Sequence, residues 1–208
     1  AAAAAAVFAP LLNMPSASAG DLNKEIPAAA SDPANPADRE VAVLAGGCFW
    51  GQQGLFEHVK GVTKVVAGYA GGEKKTARYM VASSGTTGHA ESVEITFNPK
   101  EVSFGQILRI YFSVAHDPTE VDRQGPDEGS QYRSEIFTTS PEQETAAKAY
   151  VAQLDAAHIF PAAIATKVEP LQGFFAAEDY HQDYLFHYPD DTYIKVNDLP
   201  KIEAKMHE

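Results

Sequence analysis

The chain has 208 residues, 16 basic and 28 acidic side chains, a formal charge of −12 and a single cysteine. With 45% hydrophobic and 10% aromatic residues it can bury a core, which excludes disorder throughout. The charge argues against nucleic acid or an anionic membrane as partner. One thiol excludes an intrachain disulfide, a cysteine-rich zinc module and a CxxC redox pair.

Residues 1–12 (AAAAAAVFAPLL) are almost wholly apolar, and Ala17 and Ala19 stand at the −3 and −1 places of an A-x-A pattern before Gly20. This reads as the apolar segment and cleavage site of a secretory signal peptide over 1–19, so a periplasmic or secreted location is expected; the alternative is an alanine-rich leader on a cytoplasmic protein. Residues 20–40 carry three prolines and no apolar periodicity, and read as a linker. No later stretch is apolar for long enough to span a bilayer.

The domain is expected over 41–208. Val41–Ala45 is a short apolar run closed by Gly46-Gly47, as in a buried strand. A helix follows over 51–59, with Leu55, Phe56 and Val59 on one side. Val62–Tyr69 is β-rich, and Glu91–Phe97 alternates with Val93, Ile95 and Phe97 on one face. Ser103-x-x-Gln106 is a capping-box start, leading a helical stripe of Phe104, Ile107, Leu108 and Tyr111. Tyr132–Phe137 reads as a strand, Ser140-Pro141 as the start of a helix carrying Ala147, Tyr150, Val151 and Leu154, and Ile164–Val168 as a further strand. Tyr180, His181 and Tyr184 are expected in one helix. Strands and helices interleave without strict alternation, which predicts an α+β fold: a mixed β-sheet with helices packed on it.

Cys48 falls between a strand and a helix. Unpaired N–H groups of a helix's first turn stabilise a thiolate, so at this elbow a lowered thiol pKa and a nucleophile are expected. The alternative is a small buried hydrophobe, inert and with an ordinary or raised pKa. Phe49 and Trp50 are either core aromatics or the walls of a small apolar pocket. By period 2, Glu91 shares a face with Val93, Ile95 and Phe97; it either points into water at the strand's start or is buried, where its pKa rises and it becomes a proton donor. Seven histidines form neither an HExxH pattern nor a Cys/His cluster, so no metal site is expected. A cysteine hydrolase using His89 or His181 would need an imidazole within reach of the thiol.

GGCFWG at 46–51, GYAGG at 68–72, TGHAESVEITFNP at 87–99, HDPT at 116–119, GPDEGSQYRSEIF at 125–137 and AEDYHQDY at 177–184 occur in this order. Together they resemble the A-type peptide methionine sulfoxide reductases, over roughly residues 41–193. The resemblance implies a ferredoxin-like two-layer α/β plait and reduction of the S epimer of methionine sulfoxide, free or in proteins, without a cofactor. It implies Cys48 as nucleophile, Phe49 and Trp50 around the substrate methyl group, and Glu91 as acid, aided by Tyr79 and Tyr132. It aligns Asp127 with a loop carboxylate near the site, His181 and Tyr184 with an HQxY segment, and Tyr193 with the neighbourhood of a resolving cysteine. Many relatives carry C-terminal resolving cysteines and this chain has none. The expected sulfenic acid is therefore regenerated by an external thiol: thioredoxin, glutaredoxin or a small thiol. A monomer is expected.

Overall fold

The computed structural model describes residues 26–206; the expected signal segment 1–19 lies outside them. The elements in chain order are β1 (Glu40–Ala45), α1 (Phe49–Glu57), β2 (Val62–Ala70), α2 (Tyr79–Ala82), β3 (Ala90–Phe97), α3 (Phe104–Ile110), β4 (Arg123–Gln124), β5 (Asp127–Glu128), β6 (Glu135–Thr138), α4 (Pro141–Ala156), β7 (Lys167–Pro170), β8 (Phe174–Ala176), α5 (Tyr184–His187) and α6 (Leu199–Met206).

Six strands form one sheet in the order β7-β6-β1-β3-β2-β8, and β4 and β5 form a separate hairpin. The four central strands, β6-β1-β3-β2, pair antiparallel, while β7 joins parallel to β6. This central order, with α1 linking β1 to β2 and α4 following β6, is the ferredoxin-like plait, extended by one strand at each edge. Period-2 alternation sorts the side chains. Ala42, Leu44, Val93, Ile95, Phe97, Val65, Ala67 and Tyr69 face the main core, with Leu55, Phe56, Ile107, Leu108, Tyr150 and Leu154 from the helices. The opposite face carries a smaller cluster of Val43, Ala45, Ala70, Ala90 and Phe137.

The helix starts follow their capping chemistry. Ser103 Oγ accepts from Gln106 N–H and Gln106 closes the box on the Ser103 backbone; Ser140 Oγ accepts from Gln143 N–H, with Pro141 at the first helical position. Tyr132, expected to open a strand, instead lies in a short 3-10 turn (Ser130–Tyr132), and β6 begins three residues later. The helix expected through Tyr180–Tyr184 is broken: a 3-10 turn covers Asp179–His181, Asp183 takes φ 53°, and α5 starts at Tyr184.

Residues 26–39, within the expected linker, have no helix or strand but lie against the domain. Ile26 is buried, its carbonyl accepts from Arg109 Nε at 2.8 Å, and the Pro27 carbonyl accepts from the Tyr150 hydroxyl at 2.6 Å. Asp32 accepts from Gly105 N–H at 3.0 Å at the start of α3. No helix among the described residues is long and apolar enough to cross a membrane.

Candidate active site

The sheet topology gathers the candidate residues at one end. β3 runs antiparallel to β1, so its first residues stand beside the last of β1, with Leu44 opposite Val93. β2 ends there too, with Tyr69 opposite Glu91, and β6 begins there, with Glu135 opposite Ala45. Cys48 follows β1, Tyr79 follows β2, Glu91 opens β3, and Asp127 and Tyr132 precede β6.

The turn after β1 needs its glycines. Gly47 takes φ +94°, and a Cβ there would lie 2.6 Å from Gln124. Gln52 holds the turn from within α1, its Nε2 donating to the Gly46 carbonyl at 2.7 Å and to the Ala115 carbonyl at 3.1 Å. Beneath it lies a buried polar chain. His116 Nδ1 donates to the Tyr111 carbonyl at 3.0 Å, so its Nε2 accepts from Ser134 Oγ at 2.7 Å; the Tyr111 hydroxyl donates to the Ala45 carbonyl at 2.6 Å. Burial lowers the His116 pKa to about 3 and keeps it neutral. These bonds fix the end of β1, and with it Cys48.

Cys48 is the N-cap residue of α1 and is 9% exposed. The Trp50 backbone N–H points at its sulfur, and the Phe49 N–H donates to Glu91 Oε2 at 3.1 Å. The first turn of α1 thus holds the thiol and the carboxyl side by side. Glu91 is 3% exposed, on the helix-facing side of the sheet with Val93 and Ile95. Burial raises its pKa to about 8, against the Phe49 N–H that lowers it. It is mostly protonated at neutral pH and is a proton donor there.

The thiol departs from expectation. Burial pushes Cys48 well above its ordinary value, Glu91 (once it ionises at higher pH) and Asp198 push the same way, and the Trp50 N–H pulls the other way. The helix terminus beside Cys48 favours the thiolate, but these carboxylates, brought in from distant parts of the chain, oppose it. A raised value is also what an inert structural thiol would have, but an inert thiol does not call for a proton donor and two free phenols around it. Tyr79 and Tyr132 are both pushed up by burial and then by Glu91, with Cys48 contributing to each. Both keep their protons, and neither hydroxyl has a hydrogen-bond partner among the described residues, so both can donate to a bound group. Tyr79 is set by Glu178, whose carboxylate accepts from the Tyr79 N–H at 2.9 Å and the Tyr69 hydroxyl at 3.0 Å.

Phe49 is buried in the main core and Trp50 is half-buried at its edge. Trp50 is held on three sides. Tyr184 stacks on it with centroids 3.7 Å apart and planes 7° from parallel, Tyr193 meets it edge-on at 6.0 Å, and its Nε1 donates to His181 Nδ1 at 3.1 Å. His181 also packs on Phe49 at 5.0 Å and on Tyr79 at 4.5 Å. The 178–183 segment reaches this position through Gln182. Its Oε1 accepts from Ala67 N–H at 3.0 Å and its Nε2 donates to the Ala67 carbonyl at 2.9 Å, completing the outer edge of β2. The Tyr193 hydroxyl donates to Asp127 Oδ2, tying the C-terminal segment to the β4–β5 hairpin.

All ten expected site residues therefore fall in one cluster. An imidazole for thiolate activation does not join them. The accepting nitrogen of His181 is taken by Trp50, and His89 Nε2 donates to the Glu73 carbonyl at 3.1 Å. Among the described residues, no three His, Cys, Asp or Glu side chains are arranged to hold a metal ion. Sequence reasoning missed Asp198, which is fully buried beside α1. Its only signal was an Asp in the tail at the start of the apolar stripe of α6.

A family model described as peptide methionine sulfoxide reductase matches residues 40–208. A relative from Mesorhizobium japonicum, peptide methionine sulfoxide reductase MsrA 2, is 55% identical over 163 residues, covering 78% of this chain and 84% of its own. A relative of the same name from Synechocystis is 53% identical over 163 residues, covering 78% and 76%. The reduced form of Mxr1 from Saccharomyces cerevisiae superposes with a TM-score of 0.68 at 32% identity, over 78% of this chain and 92% of that one. From the residue cluster upward, and by these likenesses, the chain belongs to the peptide methionine sulfoxide reductase family.

Proposed function

We propose that the enzyme reduces the S epimer of methionine sulfoxide, free and in proteins, to methionine, with Cys48 as nucleophile and Glu91 as acid, and so repairs oxidised proteins. The observation that carries this is the shared first turn of α1, where the Phe49 N–H engages Glu91 and the Trp50 N–H engages Cys48. Sulfoxide oxygen leaves sulfur poorly unless it is protonated, and a buried neutral carboxyl supplies that proton. The Cys48 sulfur attacks the sulfoxide sulfur, and the oxygen takes a proton from Glu91 as its bond to that sulfur breaks. The protonated oxygen then bonds to the Cys48 sulfur as the bond between the two sulfurs breaks, giving a sulfenic acid and methionine; the thiol's proton returns to Glu91. One sulfur is oxidised by two electrons and the other reduced by two. Tyr79 and Tyr132 donate to the same oxygen. Phe49 and Trp50 enclose the methyl group, and His181, Tyr184, Tyr193 and Asp127 hold that wall in place.

The chain has a single thiol, so the sulfenic acid is reduced from outside. One external thiol displaces water to form a mixed disulfide, and a second releases Cys48 and a disulfide. Thioredoxin, glutaredoxin and small thiols all supply this chemistry. We further propose export, on the A-x-A pattern before Gly20; mass spectrometry of the mature N-terminus tests it, and an intact residue 1–19 segment would refute it.

Incubation with each separate epimer and dithiothreitol tests the activity. Methionine is expected from the S epimer alone, with none from Cys48→Ser. Turnover of both epimers, or an active Cys48→Ser protein, would overturn the reading.

A further inference from the structure

The first turn of α1 contains no acidic residue of its own, yet it faces two acids delivered from far along the chain. One is Glu91. The other is Asp198, in the π-helical turn Ile194–Asp198 that leads into α6. Asp198 is 0% exposed, and it lies directly on Gly51: a Cβ at position 51 would sit 2.1 Å from its Oδ1. Glycine is therefore required there for the carboxylate to reach the helix backbone. Oδ1 also meets Lys201 Nζ at 3.3 Å, while Oδ2 is buried with no hydrogen-bond partner. A buried, half-satisfied carboxylate is costly, and such a group is retained at functional sites more readily than in an ordinary core.

We propose that Asp198 is a positioning residue for Cys48: its carboxylate, seated on Gly51, sets the negative field at the first turn of α1 and so governs how much of the thiol is ionised in the empty site. The groups facing Cys48 are Glu91 on β3, Asp127 on β5, Asp198, and the phenols of Tyr79, Tyr132, Tyr184 and Tyr193. Those facing Asp198 are Lys201 on α6, Asp127, Asp191, Tyr193 and the thiol itself. Burial pushes the Asp198 carboxyl up, Lys201 draws it back down and so favours its charge, and that charge in turn pushes the Cys48 thiol up. The C-terminal segment, which brings no second thiol, brings this charge instead.

The consequence rests on Cys48 being the reactive group. A thiolate attacks hydrogen peroxide, giving a sulfenic acid and hydroxide, and a second peroxide carries it to a sulfinic acid with loss of water. No other cysteine in the chain can intercept the first product. Keeping the thiol neutral in the empty site limits that loss.

The test is alkylation of Cys48 by iodoacetamide across pH, which needs no sulfoxide turnover and so separates this inference from the proposed activity. Asp198→Asn keeps the side chain's shape and removes its charge. The midpoint of alkylation is expected to fall by about one pH unit, the low end for one neighbouring charge, with roughly tenfold faster reaction below it. Trp50 is the only tryptophan, so its emission reports whether the C-terminal segment still covers the site. Unchanged emission with a lowered midpoint supports the proposal. An unmoved midpoint overturns it, as does a lowered midpoint accompanied by red-shifted emission, which means the segment has merely come away. Should Asp198→Asn not fold, Gly51→Ala displaces the carboxylate from α1 without removing it; a lowered midpoint again supports the proposal and an unchanged one overturns it.

Discussion

The backbone N–H of Phe49 donates to Glu91 Oε2 at 3.1 Å, joining the helix that carries the thiol to the strand that carries the acid. Glu91 is buried with a pKa raised to about 8 from an ordinary 4.5. Between those two values the folded protein binds a proton that the unfolded chain does not. Stability is therefore lost as pH rises from 4.5 to 8. Glu91→Gln removes this loss and keeps an oxygen for the Phe49 N–H. The variant is expected to be more stable than the parent at pH 7, on the order of 3 kcal/mol, with the gap closing near pH 5. Urea melts at several pH values measure it. Its first catalytic step should slow by about 10²–10⁴-fold, the usual contribution of a positioned acid.

Trp50 depends on Tyr184 for its orientation, through the 3.7 Å stack. Tyr184→Leu is expected to red-shift Trp50 emission. It should raise KM for the S-sulfoxide by up to about tenfold, matching the ~0.5–1.5 kcal/mol of an aromatic pair, and leave kcat nearly unchanged. Steady-state kinetics with separate epimers checks this. A fall in kcat at constant KM would place Tyr184 elsewhere in the reaction.

Ser134 sits at the centre of the buried polar chain under the elbow, its hydroxyl donating to His116 Nε2 and accepting from the Thr166 hydroxyl. Ser134→Ala leaves His116 Nε2 without its donor and should cost about 1–3 kcal/mol. His116 titrates at about 3 when folded, lowered by burial from 6.5. Its contribution is present above 6.5 and lost as pH falls towards 3. His116→Gln should flatten the acid side of the stability profile; a profile as steep as the parent's would refute this.

Ile26 is 2% exposed and packs in the main core, ahead of β1. Ile26→Ala is expected to cost about 2–5 kcal/mol, as for other buried isoleucines. Thermal or urea unfolding measures it, and a cost near zero would mean that residues 26–32 contribute nothing to the fold.

Local patterns made much of this legible. The apolar run closed by two glycines announced β1 and the elbow, and period-2 alternation put Glu91 on the same side as Val93 and Ile95. Capping signals at Ser103 and Ser140 marked α3 and α4 because caps are local chemistry. What local chemistry could not show was long-range. Ile26 and Asp32 sit in a Pro/Ala-rich stretch with no periodicity, and their hydrogen-bond partners lie on α3 and at its start. The aromatic setting of Trp50 rests on three residues more than 130 positions away. The direction of the thiol's shift is not legible locally: helix polarity is visible next to Cys48, whereas burial, Asp198 and Asp127 act on it only through the fold.

The most direct test is a single turnover without reductant. The S-sulfoxide is mixed with excess enzyme, and methionine released is compared with Cys48 sulfenic acid trapped by dimedone. One adduct on Cys48 per methionine is expected, with the burst slowed in Glu91→Gln. Methionine formed without an adduct on Cys48, or an unchanged burst in that variant, would contradict the mechanism.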